Sequence, residues 1–139
     1  MKHSQEEAEA WLEFARADLA FARAPLPDGA KHEQLCFFAQ QAAEKAIKAV
    51  LVSRRVRFPF IHDLGALADL LPRELSGDES LRGVEELTPF AATTRYPFVF
   101  RDTAVDRDEY RELLGLAERV MAWAEHAIIE PDTESSEDE

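Results

Sequence analysis

The 139-residue chain has one cysteine, five isolated glycines and no apolar run of the roughly 18 residues that a membrane-spanning helix needs. A single cysteine cannot form an internal disulfide, and one cysteine with four scattered histidines does not provide a structural zinc site. Without a glycine-rich phosphate loop or alternating strands and helices, Rossmann and P-loop folds have no support. We therefore expect no metal, no cofactor and no membrane span. Because no apolar signal region follows the first residues, we also expect a cytoplasmic protein.

Basic residues are scarce, since 16 Lys and Arg face 28 Asp and Glu. The net charge of -12 argues at first against a nucleic-acid surface, but the charge is uneven. Residues 1–62 hold nine basic and eight acidic residues, whereas residues 63–139 hold seven and twenty. Six of those acids lie in residues 130–139, which we expect to be a disordered tail because they offer little to bury. The tail is either a solvated terminus or an electrostatic mimic of nucleic acid.

The hydrophobic periodicity predicts an all-α fold, an antiparallel up-and-down bundle of four to five helices in one domain over residues 1–129. The predicted helices are Gln5–Ala24, Lys31–Arg54, Asp63–Leu71, Glu79–Thr94 with a kink at Pro89, and Asp106–Ile128. A polar turn is predicted at residues 74–78, and an extended linker at residues 98–100. The short loop between the first two helices predicts an antiparallel hairpin.

Local signals set the predicted helix ends and faces. Ser4 and Glu7 have the spacing of a capping box, while Asp63 and Asp106 stand where a carboxylate stabilises a helix N-terminus. The predicted apolar stripe of the first helix comprises Trp11, Phe14, Ala15, Leu19 and Ala22, with Asp18 among them. Cys36, between Leu35 and Phe37, is expected to be a small buried hydrophobe.

The second helix combines an apolar stripe with an unusual set of polar residues. Its stripe runs through Leu35, Phe38, Ala39, Ala42, Ala46, Ala49 and Val50. Gln41, Glu44, Lys45 and Lys48 fall on the other side, which is either a solvated face or a groove for a ligand. Gln40 lies nearer the apolar stripe, so its amide needs a buried partner within the bundle or across a dimer interface.

Three blocks in order carry a family resemblance: Gln-Gln-Ala-Ala-Glu-Lys-Ala-Ile-Lys-Ala from residue 40, His62-Asp-Leu and Arg95-Tyr-Pro. With these blocks the sequence resembles the HEPN family, named for higher eukaryote and prokaryote nucleotide-binding domains. The resemblance covers roughly Glu9 to Ala127. It implies a helical bundle, often dimeric, that is either the partner of a minimal nucleotidyltransferase or a ribonuclease.

The ribonuclease members use an Arg and a His with four to six residues between them, and they need no metal. The resemblance implies that His activates the ribose 2′-hydroxyl while Arg stabilises the developing negative charge. Arg57 and Arg55 both have this spacing to His62. The family motif normally lies later in the chain, near Arg95, where no histidine follows. The interpretation of His62 as a base therefore competes with a helix-entry role, its ring packed on Phe60 or bonded to the backbone.

The candidate nucleotide-binding residues are Gln41, Lys45, Lys48, Arg95 and Tyr96. Amides can read a base edge, and lysines or the two-pronged guanidinium of Arg95 can hold a phosphate. Arg95 has the alternative of a buried ion pair with Asp18 or Glu44. The arginines at positions 54, 55 and 57 either bind phosphate or are solvated side chains at the end of the second helix, where cations interact favourably with the negative end of the helix dipole.

The sequence favours a non-catalytic, homodimeric HEPN protein that binds a nucleotide or a nucleotidyltransferase partner in a toxin and antitoxin type pair. A metal-independent ribonuclease using His62 with Arg57 or Arg95, with RNA as its partner, is the first alternative. A helical adaptor without a ligand is the second.

Overall fold

The computed structural model describes residues 2–92 and 104–129. It places the α-helices α1 (Lys2–Arg23), α2 (His32–Ser53), α3 (Leu64–Asp69), α4 (Arg73–Ser76) and α5 (Arg107–Ile129). Two 3₁₀ helices, Glu79–Leu81 and Val84–Ala92, lie between α4 and α5. Within these ranges all regular structure is helical, which confirms the predicted all-α bundle.

Three long helices form the frame of the bundle, and cross-helix contacts show their directions. Residues further along α1 contact residues earlier in α2, since Asp18 contacts Lys45 and Phe21 contacts Phe38. The helices are therefore antiparallel, as the short loop predicts. Helix α5 also runs antiparallel to α1, because Arg16 pairs with Glu125 and Arg23 with Glu118.

Helix α2 is the centre of the fold, because α1, α5, α3 and the Val84–Ala92 helix all pack on it. Its buried residues include the predicted apolar stripe except Phe38, which is half-buried. Cys36 is fully buried, as predicted. Residues expected on the polar side of the helix are buried as well, and the candidate site is built from these buried polar residues.

For α1 the predicted apolar stripe is confirmed only in part, and the predicted cap is wrong. Ala15, Leu19 and Ala22 are buried as predicted, together with Ala8 and Leu12, whereas Trp11 is half-buried and Phe14 is 64% exposed. The neighbouring helices cover a different face of α1 from the one that was predicted from its aromatic residues. Ser4 is not a capping residue, because the helix begins at Lys2 and Ser4 lies inside it.

The ends of α2, α3 and α5 follow local chemistry. The Asp63 carboxylate accepts from the Ala66 amide at 3.0 Å, and the Asp106 carboxylate accepts from the Glu109 amide at 2.8 Å, so both predicted caps are confirmed. At the end of α2, the Val56 amide donates to the Leu51 carbonyl and the Arg55 amide to the Val52 carbonyl. This is a Schellman motif with Arg55 at φ 61°, the left-handed position where glycine is usual.

The segment after α3 differs from its prediction. The expected turn at residues 74–78 is partly a single turn of helix, α4, and the expected α-helix from Glu79 is two 3₁₀ helices. In the second of them Val84, Leu87 and Phe90 are buried at every third position, which matches the three residues per turn of a 3₁₀ helix. Gly83 joins the two at φ 78°, a left-handed turn that glycine adopts without strain.

Two predicted features, the extended linker at residues 98–100 and the acidic tail at residues 130–139, lie outside the described residues. In the part of the chain that is described, no helix is both long and apolar enough to cross a membrane.

Candidate functional site

A chain of polar side chains is buried along one stripe of α2. Gln40, Glu44 and Lys48 follow at intervals of four residues, which stacks them on one face of the helix. Gln40, Glu44 and Lys48 are 0%, 4% and 3% exposed, respectively. Polar groups buried this deeply need partners, and the structure supplies them within the stripe and from the loop after α2.

Glu44 is the centre of this polar network. Its Oε1 accepts from Gln40 Nε2 at 2.8 Å, and its Oε2 accepts from Lys48 Nζ at 2.8 Å. His62 Nδ1 lies 3.0 Å from Oε1 and 3.2 Å from Oε2. Gln41 extends the network to the half-buried rim by donating from Nε2 to the side-chain oxygen Oε1 of Gln40 at 2.7 Å. Glu44 therefore holds three other side chains in fixed positions.

The Glu44 carboxyl is ionised in this environment. Burial raises its pKa, but hydrogen bonds from Lys48, Gln40 and His62, together with the Lys48 charge, outweigh burial and leave the pKa below its usual value. Because an ionised carboxylate only accepts hydrogen bonds, His62 must donate from Nδ1. The contact therefore selects the imidazole form with a proton on Nδ1, which leaves Nε2 as the nitrogen that could meet a ligand.

Three aromatic rings surround the Lys48 ammonium group. Its Nζ lies 5.6 Å from the Trp11 ring centroid, 5.5 Å from that of Phe58 and 5.6 Å from that of Phe60. These distances are within the range of cation–π attraction, which is strongest where water is excluded. The Glu44 carboxylate and this aromatic cage together stabilise a lysine whose side chain is only 3% exposed.

His62 connects the buried network to the surface. Its side chain is 43% exposed, and its ring stands edge-on to Phe60 at a centroid distance of 5.4 Å. Phe60 itself is 88% exposed, far more than a large apolar side chain on a folded domain usually is. The predicted contact with Phe60 is confirmed, whereas the polar partner is the Glu44 side chain instead of a backbone group.

Comparison with known proteins agrees with this fold. The profile of the HEPN domain family matches residues 8–127, which span most of the chain. The chain belongs to the HEPN family. Among solved structures it is similar to ST0689, an archaeal HEPN homologue, with a TM-score of 0.67 and 25% identity over 87% of this chain and 97% of that one. No curated protein matches the chain.

The two lysines proposed to bind nucleotide in this HEPN domain are both paired. Lys45 Nζ lies 2.5 Å from Asp18 Oδ2 on α1, with the lysine side chain 25% exposed, and 6.0 Å from the Phe14 ring centroid. Lys48 is bonded to Glu44 and enclosed. The expectation that Glu44 and Lys48 lie on a solvated face of α2 is wrong, because α2 is covered on that side as well.

The arginines after α2 differ in their surroundings. Arg54 is half-buried, and its guanidinium donates to the Ala127 carbonyl at 3.1 Å, which ties α2 to the end of α5. Arg55 and Arg57 are exposed on the loop that carries Phe58, Phe60 and His62. Arg55 and Arg57 therefore lie on the same loop as His62, whereas Arg95 and Tyr96 lie outside the described residues.

An open groove of about 1230 Å³ lies elsewhere, between the 3₁₀ helices and α5. Its charges are mixed, with Arg82 and Arg119 beside Glu86 and Glu112, and it shares no residue with the polar network. Among the described residues no group of His, Cys, Asp and Glu side chains is arranged to hold a metal ion. We therefore place the candidate site at the surface where His62 emerges from the network.

Sequence reasoning missed the aromatic part of this site. Trp11 was expected in the apolar stripe of the first helix, Phe60 was considered only as a packing partner of His62, and no role was assigned to Phe58. The available signal was the run Phe58-Pro-Phe60 directly before His62, since Pro59 holds the preceding residue extended and separates two aromatic rings.

Proposed function

We propose that this HEPN domain is a cytoplasmic, non-catalytic nucleotide-binding subunit that acts with a minimal nucleotidyltransferase in a toxin and antitoxin type pair. The observation that carries the nucleotide part is the exposed Phe60 ring beside His62. An aromatic face can stack any nucleobase, and the free Nε2 of the imidazole next to it can accept a hydrogen bond from a base amino group or a ribose hydroxyl. Family membership supports the same assignment.

The remaining proposed contacts surround this pair. Gln41 and Lys45 lie on the half-buried rim of α2, where Lys45 would exchange Asp18 for a phosphate oxygen. Lys48 would act through Glu44 by keeping the carboxylate ionised and His62 oriented. Arg95 and Tyr96 complete the proposed set. The pairing of both lysines implies that the arginines near His62 supply most of the attraction for phosphate.

Calorimetric titration of the purified protein with mononucleotides tests the nucleotide proposal. Phe60→Ala should weaken binding by about 5- to 150-fold, because stacking on one ring contributes about 1–3 kcal/mol. Leu70→Ala is the matched control, since Leu70 is also an exposed apolar residue but lies at the end of α3. Equal loss in both variants, or no binding by the wild-type protein, would contradict the proposal.

Co-expression with the product of a neighbouring nucleotidyltransferase gene tests the partner. A complex that purifies intact and binds nucleotide supports the pair as proposed. A stable complex together with no nucleotide binding would instead favour the helical adaptor without a ligand.

The contact of His62 with Glu44 favours one second candidate, a metal-independent ribonuclease. A carboxylate that holds Nδ1 at 3.0 Å orients the imidazole as catalytic dyads do, with Nε2 as the base and Arg57 or Arg95 as the cation. Total RNA incubated in EDTA should then be cut to cyclic phosphate ends. Loss of RNA cleavage in His62→Ala, Arg57→Ala or Arg95→Ala would support this ribonuclease site. If the wild-type protein leaves the RNA intact, the nucleotide-binding proposal is favoured.

A further inference from the structure

The end of α5 lies beside the loop that carries the candidate site. Arg54, the first residue after α2, donates from its guanidinium to the Ala127 carbonyl at 3.1 Å, and α5 ends two residues later at Ile129. Arg55 and Arg57 follow Arg54 within three residues, which is at most about 11 Å of chain. Residues 130–139 therefore continue from a point close to these arginines.

Arg55 and Arg57 have guanidinium groups that are available for a ligand. Both side chains are exposed, and neither forms an ion pair or a side-chain hydrogen bond with any residue that the structure describes. Arg16 and Arg23, which are also exposed, instead pair with acidic residues of α5. An unpaired guanidinium group can make a two-pronged contact with a carboxylate or a phosphate.

Charge indicates which neighbouring surface suits the segment that follows α5. Residues 130–139 hold six acidic residues and no basic one. The start of α1 also lies near the end of α5, because Gln5 Nε2 donates to the Ile128 carbonyl at 3.4 Å. Residues 2–12 hold three acidic residues and one lysine, so this part of α1 repels an acidic segment. The arginines on the loop after α2 attract it.

The segment is also long enough to cross the candidate site. Ten residues span up to about 33–36 Å when they are extended. His62 contacts Glu44, which lies ten residues before Arg54 in α2, or about 15 Å along the helix axis. Residues 130–139 can therefore reach from Arg54 past Arg57 to His62.

Covalent attachment makes such a contact effective. An exposed ion pair is weak by itself, so a free peptide of this composition would bind poorly. A short tether keeps the six acidic residues near the arginines at an effective concentration in the millimolar range. A mononucleotide in solution has no such advantage.

We propose that residues 130–139 dock on the loop after α2, with their carboxylates on Arg55 and Arg57, and cover the surface of Phe60 and His62. Docking is a property of this chain by itself. Its consequence rests on the proposed nucleotide binding, because the phosphate of a nucleotide would need the same guanidinium groups. The acidic segment then competes with the nucleotide and lowers its affinity.

Paramagnetic relaxation in NMR spectra of the full chain tests the docking without any ligand. A nitroxide spin label on Ser136→Cys should broaden the backbone amide signals of residues 55–62. The native Cys36 is buried and should take no label. High salt should weaken the broadening, because exposed charges are screened. Absence of broadening in residues 55–62 at low salt, or broadening centred on another surface, would overturn the proposal.

Arginine variants of the labelled protein test which charges hold the segment. Arg55→Gln with Arg57→Gln should abolish the broadening. Arg73→Gln with Arg111→Gln is the matched control, because both of these arginines are exposed and lie on α4 and α5, and it should preserve the broadening. Broadening that survives the first pair of substitutions, or equal loss in both variants, would show that Arg55 and Arg57 do not bind the segment.

Calorimetric titration with a mononucleotide tests the competition. Deletion of residues 130–139 should lower Kd by about three- to tenfold, since the free site no longer has to be vacated. The same deletion in Arg55→Gln with Arg57→Gln should change Kd by less than about twofold. An equal gain in both backgrounds, or no gain in either, would contradict the competition. If no form binds a mononucleotide, the proposed function fails, while the spin-label result still decides whether the segment docks.

Discussion

Replacing Lys48 with methionine should destabilise the domain strongly. Lys48→Met keeps the length and much of the apolar volume of the side chain, so the aromatic cage stays filled. What it removes is the positive charge 2.8 Å from Glu44, in a site where the two side chains are 3% and 5% exposed. The remaining partners of the carboxylate, Gln40 and His62, do not provide a fixed charge of opposite sign.

The expected cost follows from this burial. Removing one partner of a buried ion pair typically costs about 3–5 kcal/mol, because the other charge stays in a medium that solvates it poorly. For a domain of this size that corresponds to a fall of about 10–25 °C in Tm. The double variant Glu44→Gln with Lys48→Met leaves no charge behind while its amide can still meet Gln40 and His62. It should therefore be more stable than Lys48→Met alone by about 1–3 kcal/mol.

Urea unfolding followed by far-ultraviolet circular dichroism measures these differences. Arg16→Met is the matched control, because Arg16 and Glu125 are also 2.8 Å apart but their side chains are 47% and 38% exposed. An exposed pair contributes at most about 1 kcal/mol, so this variant should change little. If Lys48→Met costs no more than Arg16→Met, or if the double variant is less stable than Lys48→Met, the argument from burial is wrong.

Three further predictions concern single groups. The pKa of Glu44 is lower in the folded protein than its value of 4.5 in the unfolded chain, so the ionised carboxylate stabilises the fold at pH values above 4.5. This stabilisation is lost as the pH falls through the folded pKa. The difference in free energy of unfolding between wild type and Glu44→Gln should therefore narrow in acid. A gap that does not depend on pH would contradict this. Arg55→Gly should raise the free energy of unfolding, measured with urea, by up to about 1 kcal/mol, because glycine adopts a positive φ without strain. The control Arg55→Ala should give no such increase, since alanine keeps the Cβ atom that makes this conformation unfavourable. Burial raises the pKa of the Cys36 thiol to about 12, so a thiol reagent should label it only after denaturation, and rapid labelling of the folded protein would refute this.

Much of the helical framework follows from local information in the chain. The three long helices were predicted within three residues at each end, because apolar periodicity is a property of neighbouring residues. The capping roles of Asp63 and Asp106 are local for the same reason. The one-helix prediction for residues 79–94 failed, because helix type there depends on burying every third residue against the bundle.

The candidate site depended on contacts between residues distant in sequence. His62 was singled out from its spacing to Arg57, but its partner Glu44 is 18 residues away, and Asp18 is 27 residues from Lys45. Periodicity shows which residues of a helix share a face, and it does not show how many faces other helices will cover. The composition and spacing of α2 determined a helix with an apolar stripe and a row of polar residues at intervals of four. Only the packing of α1, α5 and the shorter helices around α2 decided that Gln40, Glu44 and Lys48 are buried, because desolvation depends on what lies opposite each side chain.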